Sequence, residues 1–264
     1  MKKSVFLLLA TLFLPYSLGL AQKKGDADPI QAFKEGCMRT LKTWNDAINS
    51  RDEGKLSSTY CKIVRYYQSY LTIEEVDDSH AKFFKKNDYY HQYYDNVKVN
   101  FINECQAQLS FDKHVQMEKD KPYKTYHAYM HFLTDYQGGA EIIGESDQTT
   151  DTNLEKKHKI LEVDNDMTLN DIFCEENVGK KIEASYWDLV ENGEKEDGPL
   201  ANLILISGFP RSYIDGFIVK DYNGKKGTYA CGGYAVGSEC QAPIIFTYNP
   251  TTIEKRIISS ADDE

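Results

Sequence analysis

Two stretches of strict alternation constrain this chain more than anything else in it. Over 105–118, Ala107, Leu109, Phe111, Val115 and Met117 face one way, while Gln106, Gln108, Ser110, Asp112, His114 and Gln116 face the other. Over 123–136, Tyr126, Ala128, Met130 and Phe132 alternate with His127, Tyr129 and His131. A period of two belongs to a strand with one buried and one wet face, the pattern of an antiparallel sheet. Lys113 interrupts the apolar row near its end. Further strands are read over 89–102, over 140–146 after the Gln137-Gly138-Gly139 turn, and over Tyr60–Tyr70, where Val, Ile and Tyr concentrate.

The period is helical before this block. Ile30, Phe33, Cys37, Leu41, Trp44 and Ile48 recur three or four residues apart, behind Asp28 as N-cap and Pro29 at the first helical position. A short helical turn follows at 55–58. Thr72 and Glu75 form a capping box for another helix whose apolar side holds Val76, His80, Phe83 and Phe84. Residues 147–166 are polar and read as a connector. Beyond them come short strands with Gly-rich turns, over 181–190, 201–207, 212–220, 226–236 and 243–248. The fold class is α+β: a curved antiparallel sheet on helices over 29–155, then a small, mostly antiparallel β domain over 167–260.

Export is read from the first 21 residues. Lys2 and Lys3 precede an apolar run from Val5 to Leu14, with Gly19 and Ala21 before a cleavage ahead of Gln22. The run has signal-peptide length and falls short of the ~20 residues a spanning helix needs. The expectation is a periplasmic or secreted chain with no membrane span after cleavage. A formal net charge of −10 argues against nucleic acid as a partner. The six cysteines would then sit where disulfides persist. Cys231 and Cys240 bracket CGGYAVGSEC and read as a hairpin bridge, with Cys61–Cys105 as a second pair. No CxxC and no clustered Cys/His spacing points to redox chemistry or zinc.

From Trp44 to Leu154 the chain resembles the nuclear transport factor 2-like superfamily, in the flavour of its exported bacterial members. WNDAINSRD (44–52), VRYYQSYLTIEEV (64–76), FFKKNDYYHQ (83–92), LSFDKHV (109–115) and AEIIGESDQTTDTNL (140–154) carry the likeness, with the element order. The resemblance implies a cone-shaped pocket between sheet and helices, and dimerisation through the sheet face. Some relatives catalyse isomerisation there with an Asp base, but no catalytic carboxylate maps onto a numbered position of this chain. A fainter resemblance, of Tyr136–Ala140 and Leu169–Phe173 to exported domains of anti-sigma factors and peptidoglycan deacetylases, lacks the usual His, having Glu141 instead. The C-terminal part, around SYWDLVENG and GKKGTYACGGYAVG, faintly resembles lipocalin-like barrels.

Catalytic motifs are absent: there is no GxSxG, P-loop, HExxH or GxGxxG, and the acidic run 164–171 does not meet a calcium loop. His127 and His131, four apart on a strand, stand about 13 Å apart, too far for one ion. No metal or cofactor is expected. The tyrosine clusters remain, Tyr66, Tyr67 and Tyr70, then Tyr89, Tyr90, Tyr93 and Tyr94. A tyrosine ring combines apolar area with a polar tip, which suits pockets and docking faces. Trp44, Tyr67, Phe84, His91 and Tyr93 are the expected pocket lining. The reading is an exported, non-catalytic binding protein for a small apolar ligand, a cell-envelope component or a second copy of itself. Its rivals are a pocket enzyme of the isomerase, dehydratase or hydrolase kind and an envelope sensor.

Overall fold

The first helix, α1 (Pro29–Ser50), forms where the three-and-four spacing places it, with the Asp28 side chain accepting from Ile30 N–H. It ends at Arg51, whose left-handed backbone (φ 56°) returns its N–H to Ala47 and Ile48. The Arg51 guanidinium then donates to the carbonyls of Phe84, Asn87 and Asp88. The computed structural model describes residues 28–134, 139–164, 166–182, 212–213, 218–236 and 240–259. The stretch read as a signal sequence, and most of the strands read at 181–190 and 201–207, lie outside these residues.

After α2 (Glu53–Ser57), the stretch read as one strand is a hairpin, β1 (Tyr60–Tyr66) and β2 (Ser69–Thr72). Its two-residue turn is Tyr67-Gln68, both left-handed at φ 46° and 66°. Such turns usually carry Asn-Gly, so β-propensity across 60–70 hid the break. The capping box on Thr72 and Glu75 opens α3 (Ile73–Lys86) as read. Then come β3 (His91–Phe101), β4 (Gln106–Gln116), β5 (Lys124–Thr134) and β6 (Ala140–Asp147). The sheet order is β2-β1-β6-β5-β4-β3, antiparallel except for β1 beside β6.

The alternation predicted for β4 and β5 holds. Ala107, Leu109, Phe111 and Val115, with Ala128, Met130 and Phe132, form the buried face. All of these but Val115 share one core with Phe33, Cys37, Leu41 and Trp44 of α1. Register shifts interrupt β3–β4 between Asp95 and Lys98 and β5–β6 between His131 and Phe132. Bulges of this kind bend and twist a sheet, so this one curls around α1 into a cone rather than lying flat on it.

The expected connector is structured. Asp147 caps α4 (Gln148–Lys157), which packs on β5 and β6, and β7 (Lys159–Leu161) pairs in parallel with β8 (Lys180–Ile182). A short α5 (Leu169–Ile172) lies between them. The second sheet runs β10-β11-β12-β13, from β10 (Lys220–Tyr222), β11 (Lys225–Val236), β12 (Gln241–Asn249) and β13 (Glu254–Ser259). A two-residue β9 (Ser212–Tyr213) pairs with β11. The core of this sheet contains Ile245 and Phe246, Ile172 at the end of α5 and Phe173 just after it, and also Ile63 and Tyr70 from the first hairpin. β1 and β2 therefore supply side chains to both cores. At Gly232 a β-carbon would overlap the Tyr70 ring, so the glycine is what lets the ring lie against β11.

The disulfide joins Cys105 to Cys240, and neither expected pairing forms. Cys231 pairs across the hairpin with Phe246, whereas Cys240 lies past the hairpin end at Val236–Gln241, about 16 Å along the strand. Cys61 on β1 and Cys105 at the start of β4 are three strand spacings apart, about 14 Å, beyond the ~7 Å limit of a bridge. The Cys61 thiol instead donates to Glu141. Burial pushes the Cys37 thiol up to about 12 and raises those of Cys61 and Cys231, so none is a ready nucleophile.

Candidate functional site

Where the sheet curls away from α1 and α3 it leaves a cavity of about 460 Å³. Trp44 and Ile48 come from α1, Ser79, His80 and Phe83 from α3, and Tyr90 from the segment before β3. The sheet contributes Gln92, Lys113, Val115, Tyr126, Glu145 and Asp147, and the first hairpin contributes Tyr66 and Tyr67. The walls are mainly aromatic. The polar groups converge at β6.

Glu145 is the centre of that polar end and is 4% exposed. One carboxylate oxygen accepts a short hydrogen bond from the Tyr60 hydroxyl, which itself accepts from Trp44 Nε1 at 2.9 Å. The other accepts from the Tyr67 hydroxyl at 3.4 Å. Tyr67 is positioned by its unusual turn, with its backbone N–H on the Glu145 carbonyl at 2.9 Å. Consecutive left-handed non-glycine residues are costly, and such strain is found where the fold over-determines a position. Here it aims the phenol into the cavity. Lys113 Nζ donates to the same phenol at 3.1 Å. His80 Nε2 lies 3.3 Å from the Tyr66 hydroxyl, and His80 Nδ1 is buried with no partner among the described residues. Asp147 directs both oxygens to Thr150, its N–H and its hydroxyl, as the cap of α4.

Burial, followed by the Glu145 charge, raises the phenols of Tyr60, Tyr66 and Tyr67 well above their ordinary value. Burial pushes Tyr90 up to about 12 and holds the His80 imidazole below its usual value. At neutral pH the site therefore presents neutral phenols and a neutral imidazole beside Glu145 and Lys113. It can orient a flat molecule between aromatic walls and hydrogen-bond one end of it.

Of the five residues expected to line a pocket, Trp44 and Tyr67 do so. Phe84 is buried beside His80, behind the wall. His91 and Tyr93 lie on the opposite face of the sheet, His91 bonded to Tyr123 and Tyr93 stacked on His114. On β3 the inward positions are Gln92 and Tyr94, which pair with Val115 and Lys113, so 91 and 93 point out. The tyrosine cluster points to the right region, but its strand parity is the reverse of the expected one. His127 and His131 share that outer face, engaged by Asp112 and Gln108.

Glu145 escaped the sequence reading for a physical reason. Ile142 pairs with Phe132 and Glu145 with Met130, leaving Ile143 as an extra residue between them. Strict alternation from Ile142 would send Glu145 outward, and the bulge turns it in. Lys113 left a signal, the lone polar residue in an apolar row.

No family model and no curated protein matches the sequence. Solved structures do. Aln2 from a Streptomyces species is 11% identical over 49% of this chain and 98% of its own, with a TM-score of 0.41. A protein of the NTF2-like family from Streptomyces avermitilis is 13% identical over 44% of this chain and 96% of its own, at 0.37. Bd1075 of Bdellovibrio bacteriovorus is 14% identical over 43% of this chain at 0.37, and the match spans only 39% of that protein. These scores leave the fold class resting on the strand order and the helix–sheet packing themselves.

Proposed function

We propose that this chain is an exported binding protein whose cone holds a small, largely apolar molecule with one polar end. The supporting observation is the cavity. Its size falls in the range of roughly 300–1,000 Å³ typical of small-molecule sites, and it combines aromatic walls with a few convergent polar groups. The test is calorimetry and thermal shift on the mature protein with a panel of small aromatic compounds, with Trp44 on the cavity wall as a fluorescence reporter. A compound that raises Tm and perturbs Trp44 is expected. A panel that moves neither would overturn the reading.

One observation favours a second reading, a proton-transfer enzyme. The Glu145 oxygen facing Tyr67 has a single, long hydrogen bond at 3.4 Å, which leaves it able to accept a proton. Turnover of a carbonyl compound, with loss of about 10²-fold or more in Glu145→Gln, would establish this reading. Binding without turnover would leave the first.

Export is supported by the basic, apolar start of the chain and by the Cys105–Cys240 bridge, which suits an oxidising compartment. Among the described residues no helix is long and apolar enough to cross a membrane. N-terminal sequencing of the exported form is expected to begin at Gln22. The exposed rings of Tyr93 and Tyr123 on the outer sheet face support a second copy of the chain as partner. Light scattering that returns a monomer removes that element, and a pull-down with peptidoglycan fragments tests the envelope alternative.

A further inference from the structure

Lys113 is 7% exposed, yet among the described residues no carboxylate forms an ion pair with its ammonium. Its one hydrogen-bond partner is the neutral Tyr67 hydroxyl at 3.1 Å, and the nitrogen stands 5.8 Å from the Tyr67 ring centroid. An ammonium carries three N–H donors, so two remain beyond that bond. Buried charges in folded proteins are normally paired, because desolvation without a counter-charge is expensive.

The two nearby carboxylates do not provide that pairing. Glu145 accepts from the hydroxyls of Tyr60 and Tyr67, and Asp147 from Thr150 at the N-terminus of α4, and neither forms an ion pair with Lys113. Every donor on these two carboxylates is neutral, and Lys113 keeps two N–H groups to give. A group held this way, on an inner strand at the cavity wall, is complementary to something the cavity admits.

We propose that the cone takes an organic anion, a flat apolar body bearing a carboxylate whose oxygen pairs with Lys113 Nζ. This rests on the cone being the ligand site and names the chemistry of its ligand. The aromatic walls would hold the body, and the ammonium would select the anionic end from neutral compounds of the same shape.

The test compares three probes of one skeleton, 2-naphthoate, 2-naphthamide and 2-naphthylmethylammonium, by calorimetry on the mature protein. The carboxylate is expected to bind about tenfold or more tighter than the amide, the low end for a buried charge-assisted hydrogen bond. The preference should persist in Lys113→Arg and shrink to within about twofold in Lys113→Met. Equal binding of the amide, tighter binding of the ammonium, or a preference that survives in Lys113→Met overturns the inference while leaving the cone a binding site. Binding of none of the three overturns both. A measurement without ligand is independent of the probes. Removing an unpaired buried ammonium should raise the Tm of Lys113→Met by about 2–4 °C, and a fall of that size would show that the ammonium is structural and overturn the inference.

Discussion

β4 and β11 are both long strands at the heart of their sheets, and they treat the element packed on them in opposite ways. The inner row of β4 is Ala107, Leu109, Phe111, Lys113 and Val115, and α1 packs on the bulky Leu109 and Phe111. Toward its Lys113 end the curled sheet leaves open space. The middle of β11 is Ala230-Cys231-Gly232-Gly233, and there the Tyr70 ring comes down onto the backbone. Large residues on a curved sheet make a cavity; small residues on β11 admit a ring and close the gap. The first arrangement leaves a cavity, and the second joins the two halves of the molecule.

The largest effect is expected from giving β11 the bulk of β4. Gly232→Val would overlap the Tyr70 ring and is expected to cost about 4 kcal/mol or more, measured by urea unfolding. In a Tyr70→Ala background the cost should fall sharply, because the two residues share one space. Additive costs would show that Gly232 serves backbone geometry instead.

The next largest effect concerns the covalent link between the halves. Replacing Cys105 and Cys240 together with Ser should lower stability by about 2–4 kcal/mol, with the mutant insensitive to reductant. A reductant-sensitive mutant would reveal a different pairing.

A smaller effect is expected at the ion pair of Glu75 with Lys220. Glu75 both completes the capping box of α3 and receives the half-buried Lys220 ammonium from the second sheet. Glu75→Gln should cost about 1–2 kcal/mol, and a double cycle with Lys220→Met should return most of it. Independent costs would mean that the cap alone matters.

The smallest effect is a slope. Burial holds the folded His80 below its ordinary value of 6.5. As pH falls below 6.5 the unfolded chain binds the proton first, so stability present above that pH is lost as pH falls through the folded value. The decline of Tm on the acid side of 6.5 should be shallower in His80→Gln. An identical decline would remove His80 from the acid limb.

These sites differ in how openly the sequence announced them. The helix spacing of α1, the capping box of α3 and the alternation of β4 and β5 depend on neighbours within a few residues, so they were legible. The break at Tyr67-Gln68 was not, because nothing in those two residue types favours a left-handed turn; the parallel pairing with β6 and the hydrogen bonds of Tyr67 impose it. The pocket was half legible, since Trp44 and the tyrosine run pointed to it while Glu145 stayed hidden behind one extra residue at Ile143.

Local periodicity determined the α+β class, the order of its first helices and strands, and the inward face of β4, Lys113 included. Only the tertiary structure decided which cysteines meet, which tyrosines face the cavity and that Glu145 joins them. Those outcomes depend on bulges, register and strand order, set by contacts between residues far apart in the chain. Repeating patterns within a segment carry no record of them.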